Sequence, residues 1–550
     1  QRRTTFRSLR EESPPAADLL GLFAYLGAEP LRAALLRRGH DTDIPQPLAG
    51  ILGDPVQLAR ALRDLSRHGL VKIDLHEQRI QVHQLTQDIL RASLTREAGE
   101  RSRDNVHKIL AVANPGDPDD QATWSSHREI GSRILPSDLI NAKSDEARRV
   151  VLDQARFMFL AGEYDSSHDL ANAMVDAWSR SPTAGGLGRD HEQSIQALRH
   201  LANALRMLGK YAEARQIGEK TYGILLESPR FGDFHPYTVD VAFGLGFDLK
   251  MAGDPNGALT LDERNLDRSI QVYGDSHDFT QRAKSNVAAD LRQLGRFQRA
   301  YELSLNIVTD HKIKYGDNEV RTLRNISDHV CDLHGLGRYR DALETQLGVW
   351  PLCVQLMEPH SRELLLAEHN IAVALRKAGK PILAEERSAK NLLAFQVHFG
   401  PSHEYTIMAA MSHANILRTV GRLTDARTTG AGAVADCRLK FGDRHPMTLA
   451  AQVNFGIILR LLGENDAAHD IESTTFTMLQ EVLGMAHPYT LAAANNYANC
   501  LVGGNRISEA RALTLSVMEL SRDVRGDQHP DTLTAMVNAA LDIAATDGGE

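Results

Sequence analysis

No stretch of the chain is apolar for long enough to cross a bilayer and no secretory signal opens it, which directs expectation to a cytoplasmic protein without a membrane partner. Cysteine is scarce. Cys331, Cys353, Cys437 and Cys500 stand singly in helical stretches with no C-x-x-C pair, and read as small buried apolar side chains in a reducing compartment. Charge of one sign is also missing: charged residues make 24% of the 550 and the net charge is −9, so there is no global pull toward nucleic acid or anionic lipid. Catalytic signatures are absent as well. The chain has no G-x-x-x-x-G-K-[ST] loop to cradle phosphates, no H-E-x-x-H and no G-x-S-x-G elbow. No catalytic residue, metal site or bound cofactor is therefore expected in it, and it is not expected to act as an enzyme.

What the chain does have is a turn that returns every 42 residues, as in His445-Pro446-Met447-Thr448, His487-Pro488-Tyr489-Thr490 and His529-Pro530-Asp531-Thr532. The same register holds His403, His360, His277 and His235, with Glu319 in the His place once and His191 in a less regular unit. Eighteen residues after the turn comes a Gly in most copies (Gly253, Gly295, Gly337, Gly421, Gly463), and five further on an Ala (Ala258, Ala300, Ala342, Ala426, Ala468). Between turn and Gly, apolar residues recur at spacings of three and four, as in Leu449, Val453, Ile458 and Leu462, the pattern of an amphipathic helix. A second such stretch runs from the Ala to the next turn. The period therefore predicts stacked pairs of antiparallel helices, a mainly α solenoid whose working part is an extended surface. Pro446 suits the first helical position, Thr448 the first turn, where its hydroxyl is expected to cap free N–H groups, and Gly442 the left-handed end of the preceding helix.

The combined Gly, Ala and H-P-x-T register resembles the tetratricopeptide repeat in its 42-residue form, found in kinesin light chains and in many bacterial signalling proteins. The resemblance covers about residues 190 to 546. Ala155 to Ser179 looks like one further unit, so nine helical hairpins with a capping helix at Thr532 to Ala545 are implied.

The first hundred residues lack the period. Ala16 to Tyr25, Leu31 to Arg38 and Pro55 to His68 suggest short helices, and Gly69 to Asp74 with Arg79 to His83 a β-hairpin, the order of a winged helix. We expect an opening segment at 1–14, a winged-helix domain at 15–100, a helical linker at 101–143 and the repeat superhelix at 144–550. Val82-His83-Gln84-Leu85, with Asp88-Ile89-Leu90, is similar to the Met-His-Asp motif that closes the winged helix of STAND (NB-ARC) ATPases. These are signal-transducing proteins that include many actinobacterial regulators. Val82 and Gln84 stand where the motif has Met and Asp. In that family the His contacts the β-phosphate of ADP, which would make His83 a sensor of nucleotide state. Leu9-Arg10-Glu11-Glu12-Ser13-Pro14 and Ala113 to Trp124 resemble the flanking segments of such proteins. The first residue is Gln1, so the resemblance implies a larger bacterial protein whose upstream nucleotide-binding domain would bind ATP or ADP with Mg.

Candidate binding residues come from the repeats. Asn286, Asn454, Asn496 and Asn538 fall nine residues after the turn His, with Asn370 and Asn415 nearby in their own units. Asn is a poor helix-interior residue, so its return asks for a hydrogen-bonding reason. Its amide can donate and accept at once and so hold the backbone of an extended peptide; alternatively, each Asn ties neighbouring helices together. In kinesin-light-chain-type repeats the corresponding Asn lines the concave groove, and we read these as peptide-binding. Six residues beyond lies a cationic column that includes Arg292, Arg418 and Arg460, with Arg376 displaced by one from its turn. These residues are expected to flank the groove, with the helix dipole and surface pairing explaining them better than an acidic ligand. Asp-x-His pairs such as Asp443 and His445 could suggest metal, but a role in the turn explains every copy.

The expected function is the ligand-sensing and scaffold segment of a STAND-type signalling ATPase. It would capture a protein or peptide and relay occupancy to the nucleotide domain, with homo-oligomerisation possible on activation. The alternative is a constitutive adaptor without a switch. DNA binding through Arg60, Arg63 and Arg67 is opposed by Asp64 on the same face and by the acidic overall balance.

Overall fold

The computed structural model describes Leu9, residues 12–74, His76 and residues 79–547, the last three as backbone only. Most of the opening segment and the tip of the expected hairpin lie outside the described residues. The chain forms two compact units, Gln1–Gly232 and Asp233–Glu550.

In the first unit, helix Pro14–Phe23 leads to strand β1 (Leu31–Arg32), then helices Ala33–Arg37, Leu48–Gly53 and Pro55–Arg67. Strands β2 (Lys72–Asp74) and β3 (Arg79–Gln81) follow, and helix Gln84–Ser93 closes the series. The sheet order is β1-β3-β2, antiparallel throughout, with Ile80 opposite both Leu31 and Ile73. The helix expected at 31–38 is shorter than its pattern because Leu31 and Arg32 are drawn into the sheet. Helix Leu48–Gly53 was not foreseen: it is 6 residues long and follows Pro45 and Pro47, so no periodicity announces it.

Beyond helices Arg96–Val112 and Trp124–Ile134, the unit contains two helical hairpins, Asp145–Leu160 with Tyr164–Trp178 and Glu192–Met207 with Tyr211–Glu227. One apolar core runs from Leu9 through Leu52, Ile109 and Val150 to Ala214, so these hairpins are part of the same body as the N-terminal elements. Arg133 secures the join. Its buried guanidinium donates to the carbonyls of Leu26 (2.9 Å), Glu29 (2.7 Å) and Pro30 (2.7 Å), fixing the turn before β1 to a linker helix.

The second unit is an α-solenoid of seven helical hairpins and a last helix, Pro530–Asp547, among the described residues. The sixth hairpin shows how the sequence builds each. His445 caps helix Pro446–Leu461, its Nδ1 accepting the N–H of Met447 at 3.1 Å, and Pro446 follows at the first position, where no N–H is needed. Leu449, Ile458 and Leu459 are buried against the neighbouring helices. Gly463 reverses the chain at φ 79°, and Ala468, with no exposure, lets helix Asn465–Leu483 approach closely. His235, His277, His403, His487 and His529 cap in the same way at 3.1–3.3 Å, and Glu319 Oε2 substitutes at 2.6 Å. His360 does not cap: it takes φ 61°, and Ser361 Oγ accepts the N–H of Leu364 in its place.

The turn threonine works differently from expectation. Thr448 Oγ1 donates to the carbonyl of Gly442 at 2.8 Å, as Thr406 does to Gly400 and Thr280 to Gly274, both at 2.7 Å. The hydroxyl bonds the carbonyl of the glycine that ends the preceding helix instead of its own helix's donors, because His already caps that helix and the Thr side chain is buried. The Asp of each Asp-x-His pairs with a nearby cation, for example Asp443 with Arg438 at 3.1 Å and Asp527 with Arg522 at 2.8 Å. Cys353 and Cys437 are buried as expected, while Cys331 and Cys500 are half-buried and their thiols reach Asn370 and Glu472.

Candidate binding lumen of the second unit

The second unit coils until its later repeats meet its earlier ones. His487 Nε2 lies 2.9 Å from the carbonyl oxygen of Gln293, and His529 Nε2 lies 3.2 Å from that of Gly335, each pair 194 residues apart. Nδ1 of both rings accepts from its own helix, so the proton sits on Nε2 and the ring donates outward. Burial holds both imidazoles below their usual pKa, which keeps them in this neutral form. Glycine makes room on the other side of the seam. A side chain at Gly295 would collide with Pro488, and a Cβ at Gly337 would stand 2.5 Å from Pro530 Cδ. The H-P turn is therefore both a helix cap and a seam contact.

Inside this coil lies a hollow of about 540 Å³, lined by residues from Phe297 in the second repeat through to Ala535 in the last helix. Asn454, Asn496, Arg376 and Arg418 line it, together with Tyr339 and Tyr489. Burial pushes the Tyr339 phenol up to about 12, and the Lys377 ammonium sits 5.0 Å above that ring. Arg525 is held by Asp531 at 2.8 Å and by the carbonyl of Pro488 at 2.9 Å.

Of the six asparagines read as peptide-binding, the hollow gathers Asn454 and Asn496. Asn454 Nδ2 donates back to Ala450 O at 2.9 Å, and Asn496 Nδ2 makes a long contact of 3.5 Å to Val453 O; these bonds use the amide nitrogens and not the oxygens. The helix-tying alternative is realised at Asn370, which donates to Ser327 O at 3.1 Å, and at Asn538, which donates to Asn495 Oδ1 at 3.0 Å. Asn415 is buried and Asn286 half-buried, both off the hollow.

The cationic column also divides. Arg376 and Arg418 share the lining with the asparagines instead of merely flanking it, while Arg292 pairs with Asp332 at 2.7 Å and Arg460 approaches Glu472 at 3.8 Å. His83, in the first unit, is exposed and caps helix Gln84–Ser93, its Nδ1 accepting the N–H of Leu85 at 3.2 Å. Tyr339, Lys377, Tyr489 and Arg525 went unforeseen. Lys377 adjoins the cationic column, and Tyr489 and Tyr339 stand at recurring aromatic places, two residues after the turn His (Tyr237, Phe279, Tyr405) and two after the reversal Gly (Tyr211, Phe297), which could have drawn attention to them; Arg525 has no counterpart in the period.

The repeats are tetratricopeptide repeats: residues 405–481 and 194–224 match two family models, both described as Tetratricopeptide repeat. No curated protein matches the chain in sequence. Among solved structures, a Rap protein complexed with Competence and Sporulation Factor is similar at 14% identity and a TM-score of 0.51, over 69% of this chain and 99% of that one. A putative kinesin light chain of Podosopora anserina with nearly identical TPR-like repeats is 17% identical, with a TM-score of 0.31, over 38% of this chain and 98% of the other. A Signal Transduction ATPase with Numerous Domains protein with a tetratricopeptide repeat sensor, from Pyrococcus horikoshii, is 11% identical, with a TM-score of 0.37, over 98% of this chain and 66% of that one. No helix among the described residues is long and apolar enough to cross a membrane.

Proposed function

We propose that this chain is the ligand-sensing and scaffold segment of a STAND-type signalling ATPase, taking an extended protein or peptide segment into the lumen of its second unit. The observation that carries the reading is the hollow of 540 Å³ with the amides of Asn454 and Asn496 on its wall. A guest backbone needs a donor and an acceptor at intervals, and the amide supplies both regardless of guest sequence. The fold similarity to a Rap protein, itself complexed with Competence and Sporulation Factor, is in keeping with a solenoid that holds a guest. The chain itself performs no catalysis in this scheme; ATP or ADP with Mg would bind an upstream nucleotide-binding domain.

Replacing Asn454 and Asn496 together by Ala removes two or more hydrogen bonds to a guest, each worth about 0.5–1.5 kcal/mol. The affinity for peptides selected from a random 12-residue library should fall by about tenfold or more, with the melting temperature unchanged. Unchanged affinity would reject the lumen as the binding site.

The relay runs through the first unit, whose N-terminal elements we take as a winged helix. His83 uses Nδ1 as a cap and is exposed, so Nε2 can meet a phosphate of bound ADP. His83→Asn keeps a capping side chain, which Ala would lose at a cost of about 1 kcal/mol. In the chain joined to its nucleotide-binding domain, His83→Asn should speed ADP release and raise basal activity. ADP retention equal to the native protein's would count against the switch and for a constitutive adaptor.

A further inference from the structure

The cationic column is one sequence feature with two structural fates. In the first repeat of the second unit, Lys250 pairs with Asp290 at 2.8 Å and with Asp262 at 3.3 Å. In the second, Arg292 pairs with Asp332. In the sixth, Arg460 faces the buried carboxylate of Glu472. These acids come from two fixed places, 12 and 40 residues after the cation. For Arg376 those places hold Ser388 and Ile416, and for Arg418 they hold Gly430 and Ile458. Neither arginine has an ion-pair partner among the described residues, and both open onto the hollow. The Nε of Arg418 is buried without an acceptor.

A helix-dipole role accounts for a cation at this position but not for the loss of its counter-ion in two successive copies that share one cavity. Burial and the neighbouring Arg376 and Arg460 bring the Arg418 guanidinium down to about 10, and burial lowers Arg376 in the same sense. Arg525 is satisfied by Asp531, and Lys377 lies over the Tyr339 ring. Asp531 is the acid that reaches the hollow, so the lining keeps an excess of positive charge.

We infer that Arg376 and Arg418 form an anion site in the lumen that receives a carboxylate of the guest chain, so that the ligand class is an acidic peptide. Two guanidinium groups one repeat apart can each offer a forked pair of N–H donors, and the missing repeat acids at Ile416 and Ile458 are replaced by the guest's own. This assignment rests on the lumen being the binding site.

The test is selection of 12-residue synthetic peptides from an array, on the full chain and on its Arg376→Gln/Arg418→Gln form. The native chain should enrich peptides bearing Asp or Glu; the double variant should bind those peptides about tenfold or more weakly while still retaining neutral ones. Arg418→Gln alone should weaken the acidic peptides while retaining neutral ones, and serves if the double variant fails to fold; undiminished affinity for acidic peptides would count against the site. Amidating the C-terminus of the selected peptides should leave their affinity unchanged, because a side-chain carboxylate occupies the site; a fall to the level of the double variant would overturn the assignment to an acidic peptide. Enrichment blind to charge in the native chain, or equal in both forms, overturns the anion site and leaves the lumen reading intact. If no peptide is retained by any form, both fail.

Discussion

Replacing Gly295 and Gly337 together by alanine will open the second unit, whereas the same change at Gly421 and Gly463 will not. All four residues hold a left-handed backbone, with φ of 71°, 73°, 83° and 79°, so an added Cβ costs each about 1 kcal/mol of conformational strain. That cost is common to both pairs and cancels in the comparison. The surroundings differ. Nothing lies within 4 Å of a Cβ at Gly421 or Gly463, while at Gly295 and Gly337 it would meet the prolines of the later turns. Those prolines head rigid helices, so the turn must back away and take His487 and His529 out of reach of Gln293 and Gly335. Two hydrogen bonds worth about 0.5–1.5 kcal/mol each then go with the packing at the seam. The seam variant should melt below the control pair and show a larger radius of gyration by small-angle scattering. Equal radii would mean that the seam does not hold the coil.

Acidification should destabilise the same unit through two histidines held neutral by burial. Burial brings His369 and His334 down to about 4 from an ordinary 6.5. The unfolded chain therefore takes up a proton that the fold refuses, and the stability each neutral ring preserves is present above pH 6.5 and lost as the pH falls from 6.5 to about 4. Across that window the loss amounts to roughly 3 kcal/mol per ring. Asp290 acts in the opposite sense. Burial beside Asp262 raises its carboxyl to about 7, and protonation there favours the fold as the pH falls. The decisive quantity is therefore a difference. His369→Gln, which keeps a polar partner for Ser412, should flatten the denaturant-midpoint profile between pH 6.5 and 4 relative to the native chain. Parallel profiles would show that His369 is protonated in the fold.

The repeat architecture was legible in the sequence because each unit writes its own punctuation: Gly442 to end one helix, His445 and Pro446 to begin the next, Gly463 to reverse and Ala468 to let helices close. Each of these acts within a few residues. The direction of the Thr448 bond was not legible, because it depends on whether His or Thr takes the cap and only coordinates decide between two adjacent polar side chains. The site was half legible. Asparagine recurs at one helical position, yet the same amide faces the hollow at Asn454 and a neighbouring helix at Asn370, since the coil carries equivalent positions into unequal surroundings. The ion-pair rule of 12 and 40 residues was present in the letters all along, but it becomes visible only when Lys250, Asp262 and Asp290 are seen together. The seam joins residues 194 apart and follows from small rotations accumulated over several hairpins, which no local pattern records.

The seam also bears on how such an array can lengthen. His487 and His529 find their acceptors at the same separation of 194 residues, and donor and acceptor occupy fixed places within their own units. A duplicated unit spliced into the coil would thus bring a fresh imidazole to a carbonyl already waiting at the proper offset. Closure is thus written into the repeating pattern and not into any single residue.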